Sequence, residues 1–182
     1  MNKTEWRNFL KNHRVDEAQK VVQQDYLLKA LWQILKKHQP TCVGLYAAIE
    51  GEVDLTSIFK LCQKQEIQIA YPRITNNRMD FYEVPSSNTL VKGYQGIYEP
   101  PESALLINPD FLVVPGLAFT LRGKRLGRGK GHYDKYLNAN NLCTVSLAFS
   151  WQLFDDLPTE PHDIKISEVI APVLEVKVSK II

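Results

Sequence analysis

A short, fully apolar run between two prolines sets the first constraint on the fold of this chain. The run covers residues 111–114, and Pro109 and Pro115 bound it. An uninterrupted apolar stretch of this length is typical of a strand that is buried on both faces, as in the centre of a parallel sheet. Parallel neighbours need crossover connections, which are usually helices. The run therefore predicts an α/β fold.

Helical and strand patterns alternate along the rest of the chain, as that fold requires. Helices are predicted, from apolar residues at helical spacing and from caps at Asp16 and Asp54, over residues 4–13, 16–37, 54–62 and 133–137. Strands are predicted, from short apolar runs of which Pro72 ends the second, over residues 42–48, 67–71, 79–84 and 144–148, and further apolar pieces cover 169–174 and 176–182. The irregular stretch 85–109 predicts a loop with at most a short helix. We therefore expect a layered single domain over residues 1–182, with a mainly parallel sheet flanked by helices.

Composition excludes several classes of protein. Of the 182 residues, 45% are hydrophobic, which is enough for one continuous core, and the formal net charge of +2 argues against bulk nucleic-acid binding. The charged N-terminus has no secretory pattern, and no later stretch has the apolar length that crosses a bilayer. The three cysteines show no zinc spacing and are expected to be reduced core thiols. We expect a soluble cytoplasmic protein without membrane or nucleic-acid partners.

Positive charge is concentrated in one segment that follows the central strand. Residues 122–135 contain six lysines and arginines and four of the nine glycines of the chain. Glycine permits positive φ angles and close approach of the backbone, so that successive N–H groups can converge on an anion. In open α/β sheets, ligands bind at the carboxyl ends of the strands. The segment is therefore a candidate phosphate site.

The sequence of this basic loop excludes two familiar phosphate-binding motifs and leaves two other interpretations open. A Walker loop is excluded by the spacing and by the missing hydroxyl residue, and a dinucleotide fingerprint by His132 where glycine is needed. A solvated surface loop and an RNA-phosphate site both remain open. Asp134 favours a nucleotide, because a carboxylate in the first turn of a helix after a phosphate loop is well placed to bind magnesium. Stabilisation of the helix dipole is the simpler role for the same acid.

The chain resembles a known family along most of its length. The residues Val114-Pro115-Gly116-Leu117-Ala118-Phe119 and Gly123 to Asp134 closely resemble the signature of 5-formyltetrahydrofolate cyclo-ligase, also called methenyltetrahydrofolate synthetase. The Lys3/Arg7 start, the Glu52-Val53-Asp54 turn, Gly96-Ile97 with Glu99-Pro100, and His162-Asp163 fall in the same order as in the family. The resemblance implies an ATP- and magnesium-dependent ring closure of 5-formyltetrahydrofolate to 5,10-methenyltetrahydrofolate. It also implies a fold like that of the sugar-phosphate isomerase and CoA-transferase superfamily.

The resemblance also assigns roles to residues, position by position. The expected ATP contacts are Lys3, Arg7, Arg125, Leu126, Gly127, Arg128, Gly129, Lys130, Gly131, His132 and Tyr133. Ala47, Glu52 and Arg128 are the expected folate contacts, and Asp134 and Asp163 the expected magnesium ligands. Arg128 and Lys130 would neutralise charge during phosphoryl transfer. ATP would be a co-substrate of what we expect to be a monomer.

Three positions depart from the pattern of the family. Thr120 stands where aspartate is common, His132 where tyrosine is usual, and Gln95 where an aromatic residue often precedes the Gly-Ile step. Gln95 removes a stacking surface for folate, unless Tyr94 supplies one. Two other functions also fit the sequence. The chain could be a non-catalytic protein that binds RNA or another anion, or an enzyme of the same fold that acts on a sugar phosphate or CoA ester.

Overall fold

The computed structural model of the protein describes residues 1–11 and 17–172. It contains four α-helices: α1 (Lys3–Lys11), α2 (Glu17–His38), α3 (Thr56–Lys64) and α4 (His132–Ala139). All four were predicted from helical spacing. The expected cap at Asp16, the end of the first helix at His13 and the apolar piece at 176–182 lie outside the described residues. Asp54 lies just before α3 and accepts a hydrogen bond from the backbone N–H of Thr56 at 2.9 Å, although Leu55 holds the cap position itself.

Six strands of the described chain form the central sheet, and four more form two small hairpins. In chain order the strands are β1 (Cys42–Gly44), β2 (Gln68–Thr75), β3 (Arg78–Glu83), β4 (Val91–Lys92), β5 (Tyr98–Glu99), β6 (Phe111–Val113), β7 (Ala118–Phe119), β8 (Arg125–Leu126), β9 (Cys143–Leu147) and β10 (Glu168–Ile170). The sheet order is β10-β9-β6-β1-β2-β3. Neighbours are parallel except β2 and β3. The predicted α/β class with a mainly parallel sheet is confirmed.

The apolar run that predicted the fold lies in the middle of the sheet, as strand β6 between β1 and β9. Its residues are fully buried and alternate between two layers. Phe111 and Val113 pack with α2 and α3, whereas Leu112 and Val114 pack with residues of α4. Helices therefore cover both faces of the sheet, which is why this strand has no polar side.

The second predicted strand does not end at its proline. Strand β2 continues through Pro72 to Thr75. Its parallel pairing with β1 reaches only Ala70, and beyond that point β2 pairs with β3 alone. Proline is tolerated there because the strand has a neighbour on one side only. The first predicted strand is shorter than expected, since β1 ends at Gly44.

Two antiparallel hairpins replace stretches that were predicted as loops. β4 pairs with β5 inside the irregular stretch 85–109, and β7 pairs with β8 across residues 118–126. The basic segment is therefore divided: its first part completes a hairpin and its second part leads into α4. Pairs of two-residue strands leave no periodic signal in the sequence.

No helix within the described residues is long and apolar enough to cross a membrane. All three cysteines are free thiols. Cys42 and Cys62 are buried as expected, but Cys143 is only half-buried, so it is not a core thiol.

Candidate active site

A cavity of about 630 Å³ opens beyond the carboxyl ends of β1 and β6. Tyr46 and Ala47 line it after β1, and Pro115 and Gly116 line it after β6. This edge of a parallel sheet is where α/β proteins bind ligands. The basic segment contributes the wall from Gly127 to Lys135, so the phosphate loop predicted from the sequence faces a cavity.

Glycines shape that wall. Gly129 has a φ of +99° and Gly131 a φ of +69°, backbone angles that residues with a side chain rarely adopt. A Cβ atom on Gly129 would also lie 3.1 Å from the guanidinium carbon of Arg7. The backbone at these positions can therefore approach both a ligand and α1 closely.

Helix α1 is attached to the site largely through its cationic face. Arg7 donates from Nε to the carbonyl oxygen of Gly127 at 2.9 Å. Trp6 and Leu10 hold the opposite side of the helix against the small apolar cluster around Leu126 and Phe154. The two cations of α1 that the resemblance selected, Lys3 and Arg7, both line the cavity.

Lys3 is bonded to two acids at the edge of the cavity. Its Nζ donates to Asp163 and to Glu160, each at 2.7 Å. Burial alone would lower the pKa of Lys3, but these two hydrogen bonds outweigh burial and raise it. Burial likewise opposes a low pKa for Asp163, but the bonds from Lys3 and from the N–H of Glu160 prevail and lower it. The ion pair is therefore fully charged at neutral pH.

Arg125 and Asp134 form a second, more buried ion pair. Arg125 donates from Nη2 to Asp134 Oδ2 at 2.9 Å, and the two side chains are 5% and 15% exposed. Asp134 Oδ1 accepts a hydrogen bond from the N–H of Ile164 at 3.3 Å. This contact connects the start of α4 to the residue after Asp163, so both predicted metal ligands lie in one wall of the cavity.

Arg128 is different, because it reaches across the cavity. It donates from Nη2 to Glu52 Oε1 at 3.2 Å, while 45% of its side chain remains exposed. Burial raises the pKa of Glu52, against the lowering effects of the Ile49 N–H and of Arg128. The carboxylate of Glu52 is thus a buried acceptor at one end of the cavity, and the guanidinium next to it is partly free to contact a ligand.

His132 lines the cavity with both ring nitrogens buried and without a hydrogen-bond partner. Burial and the nearby Lys135 and Lys130 lower its pKa, which favours the neutral ring. The next residue, Tyr133, lies with its ring 5.8 Å from the guanidinium carbon of Arg125, and burial raises its pKa. At neutral pH both side chains are uncharged hydrogen-bonding groups.

The structure brings together most, but not all, of the residues predicted to form the site. Lining the cavity are Lys3, Arg7, Ala47, Glu52, Arg125, Gly127, Arg128, Gly129, Lys130, Gly131, His132, Tyr133, Asp134 and Asp163. Leu126 does not line it, because its side chain is fully buried with Ala118 and Leu157. Arg122 and Lys124 also point elsewhere, towards the backbone of Asp155 and the carboxylate of Asp156.

Other lining residues were not predicted from the sequence. They include Tyr98 and Glu99 of β5, Asn138 of α4, and Glu160. Tyr98 is 51% exposed and supplies an aromatic side chain to the same cavity that Gln95 lines, the position where the resemblance leads one to expect an aromatic residue. Nothing in the local pattern marked it, because β5 is only two residues long.

Thr120 has a structural role in the hairpin. It is buried, and its hydroxyl accepts a hydrogen bond from the N–H of Lys124 at 3.1 Å. An aspartate could accept the same bond. Because Thr120 does not line the cavity, this departure from the family pattern does not change the cavity lining.

The donor set at the cavity edge fits a hard divalent cation. Ligand atoms of Glu160, His162 and Asp163 lie within 4.8 Å of one another. Carboxylate oxygens are the ligands that magnesium prefers. Asp134 is outside this group of three but is joined to it through Ile164. Asp163 already bonds to Lys3, and Asp134 to Arg125.

A cationic loop and a buried acid face one cavity. This arrangement is typical of one class of protein, an α/β enzyme that brings a polyanion to a second, polar ligand. The sequence profile of the 5-formyltetrahydrofolate cyclo-ligase family matches residues 1–172. The chain belongs to the 5-formyltetrahydrofolate cyclo-ligase family, whose members are ATP-dependent ligases. The resemblance inferred from the sequence is confirmed.

Individual relatives agree with this membership. The chain is 31% identical over 148 residues to the 5-formyltetrahydrofolate cyclo-ligase of Mus musculus, which covers 70% of this chain and 71% of the relative. The NMR structure of 5,10-methenyltetrahydrofolate synthetase from Aquifex aeolicus is 34% identical, with a TM-score of 0.82 over 94% of this chain and 90% of that one. The corresponding Mycoplasma pneumoniae protein, 21% identical with a TM-score of 0.75, covers 93% of this chain and 98% of that one and shows the same fold.

Proposed function

We propose that this chain catalyses the ATP- and magnesium-dependent conversion of 5-formyltetrahydrofolate to 5,10-methenyltetrahydrofolate, with release of ADP and phosphate. The supporting observation is the position of Arg128. It joins the glycine-rich wall, where a triphosphate would bind, to Glu52 at the other end of the same cavity. The two substrates must meet where this side chain lies.

The chemistry requires an activated oxygen. The formyl amide oxygen attacks the terminal phosphorus of ATP, the bond to the bridging oxygen breaks, and ADP leaves. Nitrogen 10 of the folate then adds to the formyl carbon and loses its proton. The carbon–oxygen bond breaks, phosphate leaves, and the methenyl cation remains.

Charge neutralisation and positioning explain the assigned residues. Arg128 and Lys130 would balance the negative charge on the transferred phosphoryl group, and the N–H groups near Gly129 and Gly131 would donate to phosphate oxygens. Glu52, with Ala47 beside it, would accept hydrogen bonds from the amino group of the pterin. Lys3 and Arg7 would close α1 over the nucleotide.

Magnesium would be held by Asp134 and Asp163, with Glu160 close to the latter. A bound divalent cation supplies neutralisation and alignment of phosphate oxygens. We place the working enzyme, as one catalytic domain and as a monomer, in the cytoplasm, where the free thiols described above are stable.

The direct test mixes purified protein with 5-formyltetrahydrofolate and magnesium-ATP and follows the near-ultraviolet absorbance of the methenyl product. We expect the absorbance to rise only when all components are present. No rise with any nucleotide would refute the proposed activity. The alternative, a non-catalytic protein that binds RNA or another anion, predicts salt-sensitive binding without magnesium, and the same preparation can be assayed for it.

A further inference from the structure

A second cavity of about 620 Å³ adjoins the first. The two share Tyr46, Ala47, Ile49, Glu52 and Tyr98 as lining residues. The second extends away from the glycine-rich wall, towards α2 and α3. A ligand held at Glu52 can therefore extend in a direction that the nucleotide does not use.

The interior of this second cavity suits a flat, largely apolar group. Leu55, Phe59 and Tyr71 form its buried surface, and Leu90 and Tyr98 line it from the 86–99 segment. Burial raises the pKa of Tyr71, so its phenol is neutral at working pH. A lining of aromatic and aliphatic side chains is typical of a binding site for a planar ring.

The charge at its rim is uneven. Among the described residues that line the second cavity, Lys20 of α2 is the basic one, while Glu52 and Asp54 are the acids. Glu52 is bonded to Arg128, and Asp54 accepts from the N–H and hydroxyl of Thr56 at 2.9 and 2.6 Å. Of these charged groups, Lys20 is the one with the sign to attract a carboxylate.

We infer that the second cavity receives the aminobenzoyl-glutamate end of the folate and that Lys20 binds the glutamate carboxylates. The inference rests on the proposed function. A folate is a pterin, then a benzene ring, then one or more glutamates, which matches a buried acid at Glu52, an apolar passage beside Tyr98 and a cation at the rim. Lys20 is thus a substrate-specificity residue outside the phosphate wall.

The test compares two lysine variants of the same helix. Lys20→Ala removes the proposed contact. Lys29→Ala is the matched control, since Lys29 is 75% exposed, pairs with Asp25 and lines neither cavity. We expect Lys20→Ala to raise the KM for 5-formyltetrahydrofolate about fivefold, with kcat and the KM for ATP unchanged. Lys29→Ala should behave like the wild type.

A substrate without the glutamate tests whether Lys20 contacts the glutamate carboxylates. With 5-formyltetrahydropteroate, which ends at the aminobenzoate ring, Lys20→Ala and the wild type should have the same KM. The inference is overturned if Lys20→Ala matches Lys29→Ala on the full substrate, or if its defect persists with the truncated one. Failure of the wild type to turn over either substrate would instead refute the proposed function.

Discussion

The two halves of the basic segment have the same kind of sequence but different surroundings. In residues 122–126 the cations bond to the protein itself: Arg122 to the carbonyl of Asp155, Lys124 to Asp156, and Arg125, which also lines the cavity, to Asp134. In residues 127–131 the glycines open the backbone, and Arg128 and Lys130 face the cavity. Local basicity therefore does not distinguish a cation that stabilises the fold from one that meets a ligand.

Replacement of Arg128 should give the largest effect on activity. We expect Arg128→Ala to lower kcat/KM by about a thousandfold, because it removes the cation that faces both substrates. The melting temperature should fall less than in Arg125→Ala, since the Arg128 side chain is 45% exposed, although the substitution leaves the buried Glu52 without its cation. Steady-state assay and thermal unfolding of the same preparation check both parts. Near-normal turnover would show that the second half of the segment is not the phosphate clamp.

Replacement of Arg125 should do the opposite and damage the fold. Arg125→Ala leaves Asp134 as a poorly compensated buried carboxylate, and we expect a loss of about 3 kcal/mol in the free energy of unfolding. Denaturant unfolding measures it. The double variant Arg125→Ala/Asp134→Ala should regain part of the loss, because the unpaired charge is gone. A single variant as stable as the wild type would contradict a structural role for the first half.

Two lysines give a smaller, matched comparison. Lys130→Ala should raise the KM for ATP about tenfold, as expected for one lost charge-assisted bond to phosphate. Lys124→Ala should leave that KM unchanged, since its partner is Asp156 and it lies outside the cavity. Equal effects of the two substitutions on nucleotide affinity would remove the division between the halves.

The smallest effect concerns the surface pair itself. The hydrogen bond from Lys124, together with the N–H of Leu157, lowers the pKa of the exposed Asp156. The ion pair therefore contributes to stability above the ordinary pKa of aspartate. This contribution is lost as the pH falls through the lowered pKa of Asp156. In Lys124→Ala the pKa of Asp156 should rise towards its ordinary range, as measured by NMR titration. An unchanged titration would mean that Lys124 does not cause the shift.

The parts of the fold that could be predicted are those with a strong local pattern. Strand β6, helix α2 and helix α4 each bury a regular set of apolar residues, so their spacing identified them. The hairpins β4–β5 and β7–β8 were missed because pairs of two-residue strands depend on partners elsewhere in the chain. The prediction that the second strand ends at Pro72 was wrong for a related reason. Whether a proline fits within a strand depends on the neighbouring strands.

The site was predictable where its residues are consecutive. The glycines and the arginine between Gly127 and Tyr133 indicate a phosphate site from the local sequence alone. Lys3, in contrast, bonds to Glu160 and Asp163, which are more than 150 residues away in the sequence. Helical periodicity gave α1 a cationic face without showing what that face contacts, and only the family resemblance selected Lys3 and Arg7. Tyr98 and Glu160 had neither kind of signal.

The ion pairs of Lys3 with Asp163 and of Arg125 with Asp134 have a consequence for the order in which ligands assemble. Each acid proposed to hold magnesium already has a positive partner, so the protein alone offers a lone dication little net attraction. A triphosphate supplies the missing negative charge and competes with Asp163 for Lys3. The metal should therefore enter chelated to the nucleotide, as a complex that keeps a net negative charge.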